Sequence, residues 1–531
     1  MMLTMSHGAL CRILAVGGFV ALATASPAQS QPTVNLAPSS MPKIATVDPR
    51  YLSYNIEMVE VTGGRFWKPY NSAAEKDAAK SNSSPDPSAQ VGGASGLFQY
   101  RPPIDLSNPR LRKLAGALAP AYVRVSGTWA NSTYFQDDDN PATAQPPEGF
   151  KTVLTRAEWK GVIDFLHSTD GQLVTSVAIS DGTRDAQGAW SPVQAGLLFD
   201  YTKKVGGSIA ATEFMNEPTF PGPGGAPKGY DAAAFARDTK AFAAFLRKEY
   251  SQTTFLGPGG IGEGGSLVPA GIEMSVLKTE DLLKAAGPVF DAFSYHFYGT
   301  VSKRCGGKLT VDQALAAAWL DRTNKDEDFY ASLRDKYLPG KPMWLNETAE
   351  AACGGDSFAG QFVDTFRFLN QLGTLAQKDV KVVMHNTLAA SDYGLLSSDA
   401  FEPRPDFWAA LLWKRTMGTT VLMPSAETDP ALRIYAQCMN GKSGGVTLLL
   451  LNTDMKRERL IVIGKDADRY VLTADALSSS RVSLNGIELQ TKPDGSMPAI
   501  VGQRVAAGTI HLGPASTTFL TIPSAGNKNC K

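Results

Sequence analysis

The sequence predicts an α/β chain, a (β/α)8 TIM barrel followed by a C-terminal antiparallel β-sandwich. Three observations carry that expectation. Eight short apolar runs recur between residues 51 and 387, helix-period stretches separate them, and past Met417 the helical period gives way to short alternating runs with turn signals. At 531 residues the chain is long enough for a barrel and a second domain.

The eight runs are "YLSYNIE" (51–57), "AYVRVSG" (121–127), "LVTSVAIS" (173–180), "ATEFMNE" (211–217), "TTFLGPGG" (253–260), "AFSYHFYG" (292–299), "MWLNET" (343–348) and "VKVVMHNT" (380–387). Between them, stretches such as 231–250 and 357–377 repeat apolar residues three and four apart. Periodicity by itself also fits an open doubly wound sheet. Residues 74–96, rich in Ala, Ser, Gly and Asp, read as an insertion after the first strand. "GGVTLLLLNTD" (444–454) and "TIHLGPASTTFLTIP" (509–523) are the clearest sandwich strands. The expected barrel spans 49–416 and the sandwich 417–531, and no internal repeat is convincing.

Lys and Arg together number 51, as do Asp and Glu, so no global charge points to nucleic acid or to an anionic membrane surface. Arg12, the apolar run 13–25 and the small residues before Ala28 read as a signal peptide over 1–28, which implies a secreted or periplasmic protein. No later segment is long and apolar enough to be an integral membrane span. Signal removal leaves Cys305, Cys353, Cys438 and Cys530, an even set in an exported chain. Of three pairings we expect Cys305–Cys353 and Cys438–Cys530, each within one proposed domain.

In such a barrel, function sits at the carboxyl ends of the strands. The fourth run ends on Asn216-Glu217 and the seventh on Asn346-Glu347. Two carboxylates delivered to one mouth are what glycoside hydrolysis needs, one to protonate the departing oxygen and one to attack or to activate water. Glu213 lies a layer deeper by two-residue alternation and Glu350 lies past the strand end, so both are the weaker candidates. Glu57, His296, Tyr298, His385, Asn386 and Tyr393 add polar groups at other strand ends, and Trp129, Phe220, Phe297 and Tyr393 offer rings for stacking. His296 and His385 lack a metal-ligand spacing, so no metal and no cofactor is expected.

These blocks resemble glycoside hydrolase family 79, the heparanase and β-glucuronidase family of clan A. The matching pieces are "RYLSYNIE", "LSNPRLRKLAGALAPAYVRVSGT", "ATEFMNEPTF", "SYHFYG", "MWLNETAEAACGG" and "KVVMHNTLAASDYGLL", in family order from about residue 50 to 395. The resemblance implies that Glu217 is the acid/base, Glu347 the nucleophile, Asn216 a ligand of the sugar 2-hydroxyl and Tyr298 a hydrogen-bond donor to the nucleophile. It implies that segment 29–48 joins the sandwich, and that Tyr393 with the Gly354 and Gly355 amides receives a glucuronate carboxylate. The family's loop tyrosine is missing, since "EAACGG" offers Ala352 or Cys353 there. No lysine follows the second strand in "SGTWANSTYF". The expected activity is therefore an exo-acting, retaining β-glucuronidase on a β-glucuronide-containing carbohydrate or conjugate. The alternatives are an endo-acting heparanase-like enzyme, another clan A glycosidase such as a glucosidase or xylosidase, and an inactive carbohydrate-binding protein.

Overall fold

The computed structural model describes residues 33–70, 96–143, 145–265, 267, 277–424 and 429–531. The expected signal peptide and nearly all of the expected insertion lie outside them. Eight parallel strands close into a barrel: β1 (Leu52–Glu57), β2 (Ala121–Ser126), β3 (Gly171–Thr175), β4 (Ile209–Glu213), β5 (Thr254–Gly260), β6 (Ala292–Tyr298), β7 (Met343–Ala349) and β8 (Val380–His385). The ring closes where Val383, Met384 and His385 of β8 pair with Leu52, Ser53 and Tyr54 of β1. An open doubly wound sheet is thereby excluded, because it would leave two edges.

Parallel strands walled by helices outside and by side chains inside are buried on both faces. Accordingly β6 and β7 are buried at every position. Helix Ala232–Glu249 shows how the outer ring is specified: Asp231 caps it by accepting the Ala234 N–H, and Phe235, Thr239, Phe242 and Leu246 form its buried stripe.

Two strand ends differ from expectation. β4 stops at Glu213, so Asn216 and Glu217 sit in the turn beyond it. Glu217 adopts φ 50, a left-handed conformation immediately before Pro218, which cannot continue a strand ladder. β7 instead runs two residues past Glu347, and its pairing shifts register on both sides, between Tyr295 and His296 of β6 and between Leu345 and Thr348 against β8. Such shifts turn a side chain away from simple alternation.

Beyond the barrel lie β9 (Met417–Leu422), β10 (Leu432–Met439), β11 (Val446–Asn452), β12 (Arg459–Ile463), β13 (Ala467–Thr473), β14 (Gly508–Leu512) and β15 (Ser516–Ile522). The larger sheet runs β9-β10-β11-β15-β13 with Lys43–Thr46 at the outer edge of β9, and the smaller places β12 between Thr33–Leu36 and β14. The unbroken "VTLLLLN" of β11 is explained by burial on both faces. Leu448 and Leu450 cluster with Ile461, Ile463 and Ile510 of the smaller sheet, whereas Leu449 and Leu451 belong to the core shared with the barrel. Both expected disulfides are formed, and no helix among the described residues is long and apolar enough to cross a membrane.

One buried acid lies between the helices Asp364–Gln377 and Pro405–Thr416. Arg367 is engaged by Asp364 at 2.7 and 2.8 Å and lies 3.8 Å from Asp406 Oδ2, and among the described residues neither buried carboxylate oxygen of Asp406 has a hydrogen-bond partner. Burial first, and the Asp364 charge second, push the Asp406 carboxyl well above the usual carboxylate range. Folding therefore takes up a proton at Asp406 between its unfolded and its raised native value, and stability falls as pH climbs through that window. Thermal melts at pH 5 and pH 8 are expected to differ less in Asp406→Asn than in the unaltered protein.

Candidate active site

The carboxyl ends of the strands open into a cleft of about 480 Å³, lined by Glu57, Glu217, Tyr298, Glu347, Asn386 and Tyr393 below an apolar rim. Its floor is organised by Arg124 of β2, whose side chain is 1% exposed. Nε of Arg124 donates to Glu213 Oε2 at 2.7 Å, Nη1 to Glu347 Oε2 at 2.6 Å and Nη2 to Asn216 Oδ1 at 2.7 Å. Asn346 Nδ2 donates to the second oxygen of Glu213 at 2.6 Å. Glu213 is thus held down to about 2, because Arg124 and His296 outweigh the burial that would otherwise raise it.

Glu347 receives Tyr298 Oη–H on its other oxygen at 2.7 Å. Burial alone would raise this carboxyl; His296, Arg124 and the Tyr298 donor reverse that and hold it below the ordinary value. Glu217 is more exposed, 19% against 6% for Glu347. Among the described residues its hydrogen-bond partner is His296, whose Nδ1 lies 3.1 Å from Oε1. Burial, reinforced by the Glu347 charge, raises the Glu217 carboxyl. Burial opposes a charged imidazole, but Glu347, Glu213 and Glu217 around it prevail and keep His296 up at about 9. Glu57 is also raised well above the ordinary value, by burial and then by Glu347. The floor therefore sets two cations, Arg124 and His296, against two acids held low, Glu213 and Glu347, while Glu217 and Glu57 keep their protons to higher pH than an ordinary carboxyl.

Oxygens of Glu217 and Glu347 and a nitrogen of His296 all lie within 4.8 Å of one another. This is the group among the described residues that could share a cation, yet its donors are already engaged. Arg124 and Tyr298 occupy both oxygens of Glu347, and the fixed guanidinium charge opposes a second cation.

The remaining polar residues orient one another. Asn386 Nδ2 contacts Glu57 Oε1 at 3.1 Å, Tyr298 Oη at 3.0 Å and Tyr393 Oη at 3.2 Å. The turn carrying Asn216 is clamped by Asn131, which accepts the Asn216 N–H and donates to its carbonyl. Gly127 has φ 94, a conformation that residues with a Cβ rarely adopt, and a Cβ there would lie 1.6 Å from Glu57 Oε2. His385 is neutral, lowered to about 4 by burial, and bonds the Tyr393 carbonyl at 2.7 Å. It holds a loop and is not paired with His296. Trp129, Phe220 and Tyr393 face the cleft, whereas Phe297 belongs to the core.

Around the missing tyrosine, Cys353, Gly354 and Gly355 take φ values of 64, 79 and 82 in succession. Cys353 is bonded to Cys305, and both line the cleft. The Gly355 amide donates to Ala351 O at 3.1 Å, and Gly354 lies behind Trp67, whose Cβ would be 2.6 Å from a Cβ at that glycine. Arg304, beside the bridge, binds Asp392 at 2.5 Å and so ties it to the Tyr393 loop. Glu350 is buried and accepts the Asp356 N–H at 2.9 Å, away from the carboxylate pair. Arg124 was not singled out in the sequence. A lone arginine inside an apolar strand was the available signal, as a buried guanidinium requires acidic partners.

A sequence profile described as "Glycosyl hydrolase family 79, N-terminal domain" matches residues 101–373, just over half of the chain. The chain is 27% identical over 488 residues to "Heparanase" of Mus musculus, covering 80% of this chain and 88% of that protein. It is 26% identical over 484 residues to "Hyaluronoglucuronidase" of Hirudo nipponia, covering 83% and 94%. The fold matches a 4-O-α-L-rhamnosyl-β-D-glucuronidase from Fusarium oxysporum with TM-score 0.62 at 13% identity, over 92% of this chain and 100% of that one.

Removing the guanidinium strands two buried carboxylates. Arg124→Met is expected to cost ~3–5 kcal/mol in urea unfolding, and Arg124→Met combined with Glu213→Gln to recover part of that loss.

Proposed function

Because the chain belongs to glycosyl hydrolase family 79, we propose that it is an exo-acting β-glucuronidase in which Glu217 is the acid/base and Glu347 the nucleophile. The observation that carries this reading is the carboxylate pair across His296. One oxygen of each lies within 4.8 Å of one of the other, which supports the close carboxyl spacing, roughly 5–5.5 Å, of a retaining site. The two environments also differ in the required sense, one carboxyl raised and the other lowered.

In the first step an ionised Glu347 oxygen attacks the anomeric carbon as the bond to the leaving oxygen breaks, and Glu217 passes its proton to that oxygen. Glu217 accepts its hydrogen bond from His296 on Oε1, which leaves Oε2 to carry the proton into the cleft. Esterification then removes the Glu347 charge, so Glu217 loses its proton more readily and activates water. The water attacks the anomeric carbon from the vacated side and frees Glu347, so the configuration is retained. Asn216, fixed by Arg124 and Asn131, would meet the 2-hydroxyl. Glu57, Asn386 and Tyr393 would bind the far edge of the sugar, and Tyr393 with the Gly354 loop its carboxylate, the disulfide holding that loop where the tyrosine is absent.

Exo action on neutral or weakly charged glucuronides is favoured over a heparanase-like action because no Lys or Arg among the described residues lines the cleft. The two disulfides support a secreted or periplasmic location.

The kcat/KM profile is expected to be a bell, its acid limb set by Glu347 and its alkaline limb by Glu217. Glu217→Gln should remove the alkaline limb and lower kcat by ~10²–10⁴ on poor leaving groups, while Glu347→Gln abolishes turnover. Rates on an aryl β-glucuronide and the matching aryl β-glucoside test the sugar, and preference for the glucoside would overturn the uronate assignment.

A further inference from the structure

The outer part of the cleft has a different chemistry from its floor. Above the carboxylates the walls are Trp67, Phe98, Trp129, Phe220, Ile261 and Leu267. Trp67 and Phe98 face each other across the hairpin of Gly64–Trp67 and Phe98–Arg101, with ring centroids 4.5 Å apart. Phe220 lies three residues after the acid, its N–H bonded to Glu217 O at 2.9 Å. It clusters with Ile261 and Leu267. The hydroxyl of this upper region, Thr128, lies 3.4 Å from Asn216 Nδ2. Tyr100, on the same face of the hairpin as Phe98, is 69% exposed and extends the strip outward.

A sugar leaving group needs donors and acceptors for its hydroxyls, and a sulfated one needs cations. The described side chains of these walls carry no cation, and the polar groups they offer are the two indole N–H groups of Trp67 and Trp129 and the Thr128 hydroxyl, which already faces Asn216. They offer rings and branched aliphatics, and of these Phe220, bonded to the Glu217 backbone, with Ile261 and Leu267 packed on it, stands beside the acid, where the departing oxygen must sit. We infer that the leaving-group subsite is built for a planar, apolar aglycone, so that the natural substrates are glycosides of aromatic or polycyclic alcohols and phenols. This rests on the assignment of Glu217 as proton donor.

The test compares methyl and naphthylethyl β-glucuronide, whose leaving groups are both primary alcohols, so that the ring adds contact with little change in chemistry. A glucuronyl disaccharide serves as the sugar-leaving substrate. The naphthylethyl compound is expected to exceed the other two in kcat/KM by about 100-fold. Phe98→Ala and Trp129→Ala should each lower the naphthylethyl-to-methyl ratio about tenfold, and Phe98→Tyr should preserve it. The ratio is internal to each preparation, so a reduced folded fraction cancels. A wild-type ratio near one, a ratio unmoved by both alanine variants, or a higher kcat/KM on the disaccharide would overturn the inference while leaving the glucuronidase reading intact. Hydrolysis of naphthylethyl β-glucoside with the same Phe98 dependence, and of no glucuronide, would sustain the inference and overturn the uronate assignment instead.

Discussion

Arg124 is the constraint on which the rest of the site depends. A guanidinium with a side chain 1% exposed is tolerable in a barrel interior only if its donors are met by charge. It finds that charge in Glu213 and Glu347 and adds Asn216 as a third acceptor. The fork geometry fixes strands β2, β4 and β7 relative to one another from the inside. The same contact keeps Glu347 ionised where burial alone would protonate it.

From that clasp follows a division of labour among four carboxylates within a small volume. Glu213 is committed to Arg124 and Asn346, which explains why a fully buried acid remains charged. Glu347 is charged but still reaches the cleft, and Tyr298 fixes its free oxygen. Glu217 and Glu57 stand one contact further from the guanidinium, and both are raised. With Glu217 raised and Glu347 lowered, a proton is held more readily on the first than on the second. The turn after β4 makes the difference. Its left-handed Glu217, a conformation costing of order 1–3 kcal/mol, turns the side chain towards His296 and the solvent-facing cleft instead of into the Arg124 network.

The upper cleft and the sandwich answer separate demands. Loops after β1, β2, β4, β5, β6 and β7 contribute to the rim, so specificity is set by segments that carry little of the fold's stability. The barrel's outer surface, in contrast, shares its core with one face of the larger sheet through Leu449, Leu451 and Phe519. That joint buries the helices Asp364–Gln377 and Pro405–Thr416 almost completely, and these flank β8, which carries Asn386 beyond its end.

Much of this was legible in the chain alone, where physics acts locally. The alternation of strand and helix periods, the carboxylates at the ends of the fourth and seventh runs, and an even cysteine set each reflect interactions among near neighbours or simple counting. What the sequence could not decide was pairing across distance. Arg124 meets partners 89, 92 and 223 residues away, and no period or spacing marks such a contact. Closure of the barrel depended on β8 reaching β1, a register that periodicity leaves free. The end of β4 at Glu213 depended on a clamp from Asn131, 85 residues earlier. Which glutamate is charged, finally, is a property of burial and of neighbours brought together by folding. Residue types and spacing name the groups able to act; how tightly each holds its proton follows from folding, because each carboxyl's environment is assembled from strands that are distant in the chain.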